Sequence, residues 1–320
     1  MYKLAIIGCG NIARFHLPAM QACGFSISAI SGRPGSSEYL KKFASDFRLS
    51  DVEIYSNPVN LINSGTWDAI LLSCPTDVMM DYLEITTKKC KPILAEKPVS
   101  NEPEKLKKFF KNKYIKVAYN RRFYKTTKYA KDFLLEHKNS IVKVTIPESS
   151  DELFNTKFFP KRLPINSYEN SVHVIDLVRF ILGDIKWSYH ESIKKTANYR
   201  ALIGVGKSEM GNSVILDSCF NSSDNFSIQF IHDTKRLELK PLESAQLYDG
   251  MRVIHPTRDI PVRTYKPLLK EQLIETDADN IKLGFRLQAE DFKNFCDGKK
   301  SFGATIHDSY KALKTIEGLK

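Results

Sequence analysis

The chain opens with Leu4-Ala5-Ile6-Ile7, runs straight into Gly8-Cys9-Gly10-Asn11-Ile12-Ala13, and continues to Ala22 with helix-forming residues. An apolar run without polar interruption is what a strand buried on both faces requires. The form G-x-G-x-x-A then dictates the next step. The first glycine permits a sharp turn, the second lets backbone approach a pyrophosphate, and a small third residue lets the helix pack closely on the strand. The first N–H groups of the helix remain free to bind an anion. Gly8, Gly10, Asn11 and Ile12 are therefore candidate dinucleotide-binding residues. Glycines recur in ordinary turns, so the motif takes its weight from the strand before it and the helix after it.

The same alternation continues. Strand-like segments are expected at Phe25 to Ile30, Glu53 to Tyr55, Asp68 to Ser73, Pro92 to Ala95 and Ile115 to Tyr119. Helical segments are expected between them at Ser37 to Phe47, Val78 to Lys89 and Glu102 to Phe110. Strands alternating with helices make a parallel, doubly wound sheet of the Rossmann kind. Beyond residue 122 the pattern changes. Helices are expected at Thr126 to Glu136 and Ser171 to Leu182, and strands at Ile141 to Ile146, Trp187 to Ile193, Tyr199 to Val205, Ser213 to Phe220, Phe226 to His232 and Arg236 to Leu239. Runs of strands predict a mainly antiparallel sheet in an α+β second domain. Amphipathic helices at Phe285 to Cys296 and His307 to Leu319 close the chain. The expected fold class is thus α/β, with a nucleotide domain over residues 1–121 and a second domain over 122–320. The last helix is a candidate to pack back on the first domain.

Composition limits the function classes. A chain of 320 residues is long enough for two domains. No apolar stretch is long enough to span a bilayer. The chain starts directly with a strand, without a secretory signal, so a cytoplasmic location is expected. Six scattered cysteines without a C-x-x-C pair read as reduced thiols, not as disulfides or a metal site. The net charge of +11 suits an anionic cofactor and substrate. Its lysines form short solvated runs such as Lys105-Leu106-Lys107-Lys108, with no aromatic-interleaved basic motif, so nucleic acid is not an expected partner.

The end of the second strand selects the nucleotide. An acidic residue there binds the ribose 2′-OH of NAD, whereas a small residue followed by Arg accommodates the 2′-phosphate of NADP. The chain reads Ser31-Gly32-Arg33. The acid is missing and a guanidinium follows, which favours NADP. A polar loop accepting either nucleotide is the alternative.

Two segments carry groups able to move a proton. Ala95-Glu96-Lys97-Pro98 follows a strand at the carboxyl edge of the sheet, where ligands of such sheets bind. A lysine there serves as acid or base if its surroundings lower its pKa. One lysine among 48 cationic residues is, on spacing alone, more readily a surface group. The second segment is Glu169-Asn170-Ser171-Val172-His173-Val174-Ile175-Asp176. His173 and Asp176 share a helix face, Glu169 lies a turn earlier, and Asn170 or Ser171 is a suitable N-cap. A His oriented by a carboxylate is a proton shuttle, although a capped helix with a satisfied His fits the same residues. No ligand pair with metal spacing is present.

Taken in order, GCGNIA, Ser73-Cys74-Pro75-Thr76, AEKP at residues 95–98, Tyr119-Asn120-Arg121-Arg122-Phe123, and His173-x-x-Asp176 resemble the Gfo/Idh/MocA family, named for glucose-fructose oxidoreductase and inositol dehydrogenase. The resemblance runs over nearly the whole chain, including the Gln288-containing helix. It implies a Rossmann domain, a second domain with a large open sheet that pairs subunits into a dimer or tetramer, and oxidoreduction of sugars or their derivatives with NAD or NADP. By motif it implies Lys97, His173 and Glu169 as catalytic residues. It adds Ser73, Pro75, Glu96, Lys97 and Asn120 to the cofactor site, and places Arg122, Asn170 and Asp176 with Lys97 and His173 at the substrate. The chain departs from the family where Gly-Gly and D-x-G-x-H are replaced by Leu163-Pro164-Ile165-Asn166-Ser167-Tyr168-Glu169-Asn170-Ser171-Val172-His173. The T-P-N-x-x-H element is also altered, to Cys74-Pro75-Thr76-Asp77-Val78-Met79, without its His. The stretches Phe154 to Asn166 and Tyr248 to Tyr265 are expected to line or cover the substrate cleft.

Overall fold

The computed structural model describes residues 1–148, 170–194, 200–219, 222–277 and 279–318. They form two compact units: Met1–Phe123 with Asp277–Lys314, and Tyr124–Thr276 with the chain end from Thr315.

The first unit begins β1 (Tyr2–Ile7), α1 (Asn11–Ala22), β2 (Phe25–Ser31), α2 (Ser37–Asp46), β3 (Glu53–Tyr55), α3 (Pro58–Ser64), β4 (Ala69–Leu72), α4 (Thr76–Thr87), β5 (Ile93–Ala95) and β6 (Ile115–Val117). The strands form one parallel sheet in the order β3-β2-β1-β4-β5-β6. The direction of winding reverses between β1 and β4, and ligands of such sheets bind beyond the strand ends at that point. The continuous apolar runs have the expected cause. Leu4, Ala5 and Ile6 of β1 and all of β4 have no exposed surface, so residues of both parities are covered by helices. Each fully buried Leu or Ile contributes about 1.5–3 kcal/mol.

The helix α3 is absent from the sequence expectation, although its punctuation is local. Asn57 accepts the Val59 N–H at 2.8 Å, Pro58 occupies the first turn, and Gly65 ends the helix at φ 65°. The segment expected as a helix at Glu102 to Phe110 is a 3₁₀ helix, Pro103–Phe109.

The second unit holds α5 (Lys125–Glu136), β7 (Ile141–Thr145), α6 (Ser171–Leu182), β8 (Ile185–Lys194), β9 (Arg200–Ser208), β10 (Ser213–Cys219), β11 (Ser227–His232), β12 (Lys235–Leu239), β13 (Ser244–Ile254) and β14 (Thr264–Ile274). These strands form an eight-stranded sheet ordered β14-β13-β12-β11-β7-β10-β9-β8, antiparallel except between β7 and β10. Alternate residues bury one face: Val142, Val144, Val214, Leu216, Ile228, Phe230, Leu237 and Leu239 are all at most 1% exposed. On the other face Tyr189, Val205 and Ile215 stand side by side across β8, β9 and β10. Tyr189 is 52% and Val205 40% exposed there.

Of the stretch Tyr248 to Tyr265, expected to line or cover a cleft, residues 248–254 belong to β13, residues 264–265 begin β14, and the rest connect the two strands. The other stretch expected at the cleft, Phe154 to Asn166, lies outside the described residues. Two closing helices follow, α7 (Phe285–Cys296) and α8 (Ile306–Gly318). α7 completes the first unit's core: Phe285, Ala289 and Phe292 pack with Leu17 and Met20 of α1 and Phe25 of β2.

Candidate functional site

The glycine turn lies at the carboxyl end of β1. Gly8 has φ +90°, and a Cβ placed on it would stand 2.5 Å from the Ser73 carbonyl oxygen. Ser73 closes this contact, its hydroxyl donating to the Gly8 carbonyl at 2.5 Å. The Gly8 N–H donates to the Ser31 carbonyl at 2.8 Å, and Tyr39 of α2 donates its hydroxyl to the Cys9 carbonyl at 2.8 Å. Gly8 is thus required by the fold itself.

Gly10 is different. Its φ is −75°, it occupies the N-cap position of α1 without a side-chain cap, and a Cβ there would meet nothing within 4 Å. Protein packing does not demand this glycine. What it leaves open is the space over the free N–H groups at the start of α1, where Asn11 is exposed and Ile12 half-buried. The residues present therefore fit a pyrophosphate. Burial pushes the Cys9 and Cys74 thiols up to about 12, so the two cysteines beside the turn are uncharged at neutral pH and do not repel an anion.

At the end of β2, Ser31 is fully buried and its hydroxyl donates to the Tyr55 carbonyl at 2.8 Å. Gly32 is buried, and a Cβ on it would lie 2.7 Å from the Ser36 hydroxyl oxygen. That hydroxyl donates to the Arg33 carbonyl at 2.7 Å. Arg33 is exposed, and its guanidinium pairs with no described residue.

Beyond β4 and β5 stand Ser73, Pro75 and the Glu96-Lys97 pair. Pro75 occupies the N-cap position of α4. Ala95 is fully buried, and the Glu96 N–H donates to the Leu72 carbonyl at 2.8 Å, so the sheet carries the chain up to Lys97. Lys97 is half-buried and precedes a cis bond to Pro98. After β6, Asn120 and Arg122 are each 8% exposed on a short 3₁₀ helix, Asn120–Phe123. The Asn120 amide donates to the Leu283 carbonyl at 3.0 Å, and the Arg122 guanidinium lies 3.5 Å from Asp308. Both thus also brace the unit's own carboxyl-terminal segments. Gln288, buried on α7, has neither amide atom hydrogen-bonded to any of the described residues.

In the second unit α6 is buried along almost its whole length. His173 is 9% exposed and Asp176 not at all. Asn170 occupies the N-cap position, but neither its side chain nor that of Ser171 caps the helix. The carboxylate of Glu148, 1% exposed, does so. It accepts the Asn170 N–H at 2.8 Å, the Ser171 N–H at 2.9 Å and the Ser171 hydroxyl. Negative charge there also suits the helix dipole. Sequence spacing could not find Glu148, because it caps from 22 residues upstream of Asn170. Glu169 lies outside the described residues. Among the described residues no three His, Cys, Asp or Glu side chains come together to hold a metal ion. None of the described helices is long and apolar enough to cross a membrane.

Residues 2–113, which hold the glycine turn and the Glu96-Lys97 pair, match the model of an oxidoreductase family with an NAD-binding Rossmann fold, Gfo/Idh/MocA. Over these residues the chain is similar to that family. The fold extends the likeness over the full length. An oxidoreductase from Thermotoga maritima is 20% identical with a TM-score of 0.77, covering 99% of this chain and 95% of its own. A myo-inositol dehydrogenase from Lactobacillus casei, solved with NAD(H) and myo-inositol, is 14% identical with a TM-score of 0.68, covering 98% and 91%. A UDP-N-acetylglucosamine 3-dehydrogenase from Acidithiobacillus ferrooxidans is 12% identical with a TM-score of 0.72, covering 99% and 96%. At these identities the likeness is one of fold. Comparison with curated proteins finds no match.

Proposed function

We propose that the chain is an NAD(P)-dependent oxidoreductase acting on a carbinol or ketone carbon of a sugar or sugar derivative. The observation that carries this reading is the pairing of open space over the uncapped helix start at Gly10 with Lys97 at the carboxyl edge of the same sheet. The nicotinamide, when bound, supplies or accepts hydride. Lys97 and His173 give or take the hydroxyl proton and polarise the carbonyl. Asp176 and Glu169 are the carboxylates proposed to orient His173, and Arg122 and Asn170 the further groups proposed to bind substrate. The net charge of +11 supports an acidic or nucleotide-linked sugar. The related folds solved as inositol and UDP-N-acetylglucosamine dehydrogenases support the sugar class. The test is NADPH and NADH consumption over a panel of keto-sugars; turnover with none of them, at cofactor concentrations that saturate binding, counts against the reading. A second reading, a nucleotide-binding sensor without turnover, is favoured by the replaced D-x-G-x-H segment, and binding without turnover is its signature.

NADP is the proposed nucleotide, because the exposed Arg33 follows Gly32 where an acid would bind a ribose hydroxyl. Gly32→Asp is expected to shift the preference towards NAD. Its Cβ must displace the Ser36 hydroxyl, so the double variant Gly32→Asp/Ser36→Ala is the cleaner form. Unchanged NADPH and NADH affinities in a fluorescence titration would refute this assignment.

The open sheet face is proposed to pair subunits into a dimer or tetramer. Exposed apolar residues contiguous across strands mark an interaction surface, and Tyr189 and Val205, with the half-buried Ile215 beside them, are such a row. Light scattering should return a multiple of 36.6 kDa; the mass of one chain would overturn the pairing.

A further inference from the structure

One buried histidine–carboxylate pair of the first unit is explained neither by the glycine turn nor by the sheet. His16 lies on α1, 1% exposed, with its Nε2 2.5 Å from Glu96 Oε1. Glu96 is 7% exposed, and its Oε2 accepts the backbone N–H of Lys97 at 3.1 Å. The Phe285 ring meets the His16 ring edge-on, centroids 4.7 Å apart. One carboxylate therefore has each oxygen committed, the first to the helix that starts at the glycine turn and the second to the lysine's own peptide.

Stability is a poor reason for this arrangement. Removing two polar groups from water is costly, and a well-packed apolar pair of similar volume is often as stable or more so. Geometry is a better one. His16 is six residues beyond Gly10, roughly 9 Å along α1. The pair thus joins the body of that helix to the residue next to Pro98.

We propose that His16 and Glu96 are positioning residues that hold the Lys97 backbone to α1 and so set where the Lys97 amine stands relative to a nucleotide at the start of that helix. This rests on the proposed role of Lys97 in proton transfer. Displacing a reacting group by about 1 Å can cost 10²-fold in rate, so such a tether has a large effect without touching substrate.

The test is competitive acetylation of Lys97 with acetic anhydride, followed by peptide mass spectrometry and referenced to Lys42, whose side chain is 73% exposed. Four variants separate the possibilities. Glu96→Ala removes both bonds. His16→Phe removes one and keeps the aromatic packing. Glu96→Asp keeps the charge but is too short to make both. Glu96→Gln keeps both, since its amide oxygen can accept from Lys97 and its NH₂ can donate to the other His16 tautomer.

The relative rate at Lys97 is expected to change by about tenfold in the first three and to stay within about twofold of wild type in Glu96→Gln. NADPH affinity by fluorescence titration and the unfolding midpoint are read on the same samples. If Glu96→Ala and His16→Phe do not fold, the contrast between Glu96→Asp and Glu96→Gln decides alone. Equal labelling of Lys97 in all folded variants overturns the proposal. So does a change in Glu96→Gln as large as in Glu96→Asp, because keeping both hydrogen bonds would then not hold the lysine in place. Full turnover in Lys97→Met would instead overturn the role of Lys97 while leaving the labelling pattern as it stands.

Discussion

Lys97→Met is expected to lower turnover by about 10²–10⁴-fold, the range lost when a positioned acid or base is removed. Methionine keeps the length of the aliphatic stem and cannot move a proton. The main chain around it should be unaffected, because the Lys97 N–H still donates to Glu96 and the Glu96 N–H still donates to Leu72. The proposed nucleotide cradle is built by other residues, namely Gly8, Gly10 and the start of α1. NADPH affinity is therefore expected to stay within about twofold, so that the loss is one of transition-state stabilisation. The measurement pairs NADPH consumption on the keto-sugar that turns over best with a quenching titration of NADPH. Full activity in the variant would remove Lys97 from the mechanism.

Exchanging each turn glycine for alanine should have opposite consequences. Gly8→Ala places a methyl 2.5 Å from the Ser73 carbonyl oxygen and 2.8 Å from the Cys74 nitrogen, at φ +90°. Both neighbours are backbone at the end of the central strand β4, and neither can rotate away. Strain of this kind costs about 1–3 kcal/mol for the dihedral alone, and the steric overlap adds to it. The unfolding midpoint is expected to fall markedly even without nucleotide. Gly10→Ala meets nothing within 4 Å and has an ordinary φ of −75°, so the free protein should keep its stability. Its methyl would instead occupy the space over the helix start, and NADPH and NADH should both bind more weakly. Calorimetry with and without nucleotide distinguishes the two. A stable Gly10→Ala variant with wild-type affinity for both nucleotides would show that the anion does not bind over this residue.

Much of the first unit is legible in the sequence because its signals are local. Ala69–Leu72 reads as a strand buried on both sides and is one, since helix-covered parallel strands bury residues of both parities. The second unit's strands are legible for the complementary reason: alternation in β10 and β11 reports a sheet with a single buried face. The pattern misleads at Tyr248 to Tyr265. The residues of β13 are mostly half-buried and those of β14 mostly exposed, so no periodic burial marks them as strands. The N-cap of α6 fails differently. Asn170 and Ser171 have suitable side chains, yet the buried carboxylate of Glu148, beyond β7, takes the helix start.

The sequence by itself determined that a glycine turn joins a buried strand to a helix, that a parallel sheet precedes a mainly antiparallel one, and that Lys97 follows a core strand. Each of these is a short-range relation between neighbours along the chain. Only the tertiary structure decided which turn glycine serves the fold and which leaves room for a ligand, because that depends on what stands opposite each Cα. It likewise decided that Glu96 spends its two oxygens on His16 and Lys97. Hydrogen bonds and steric contacts are made across space, and residues 80 positions apart acquire a common role only once the sheet has brought them together.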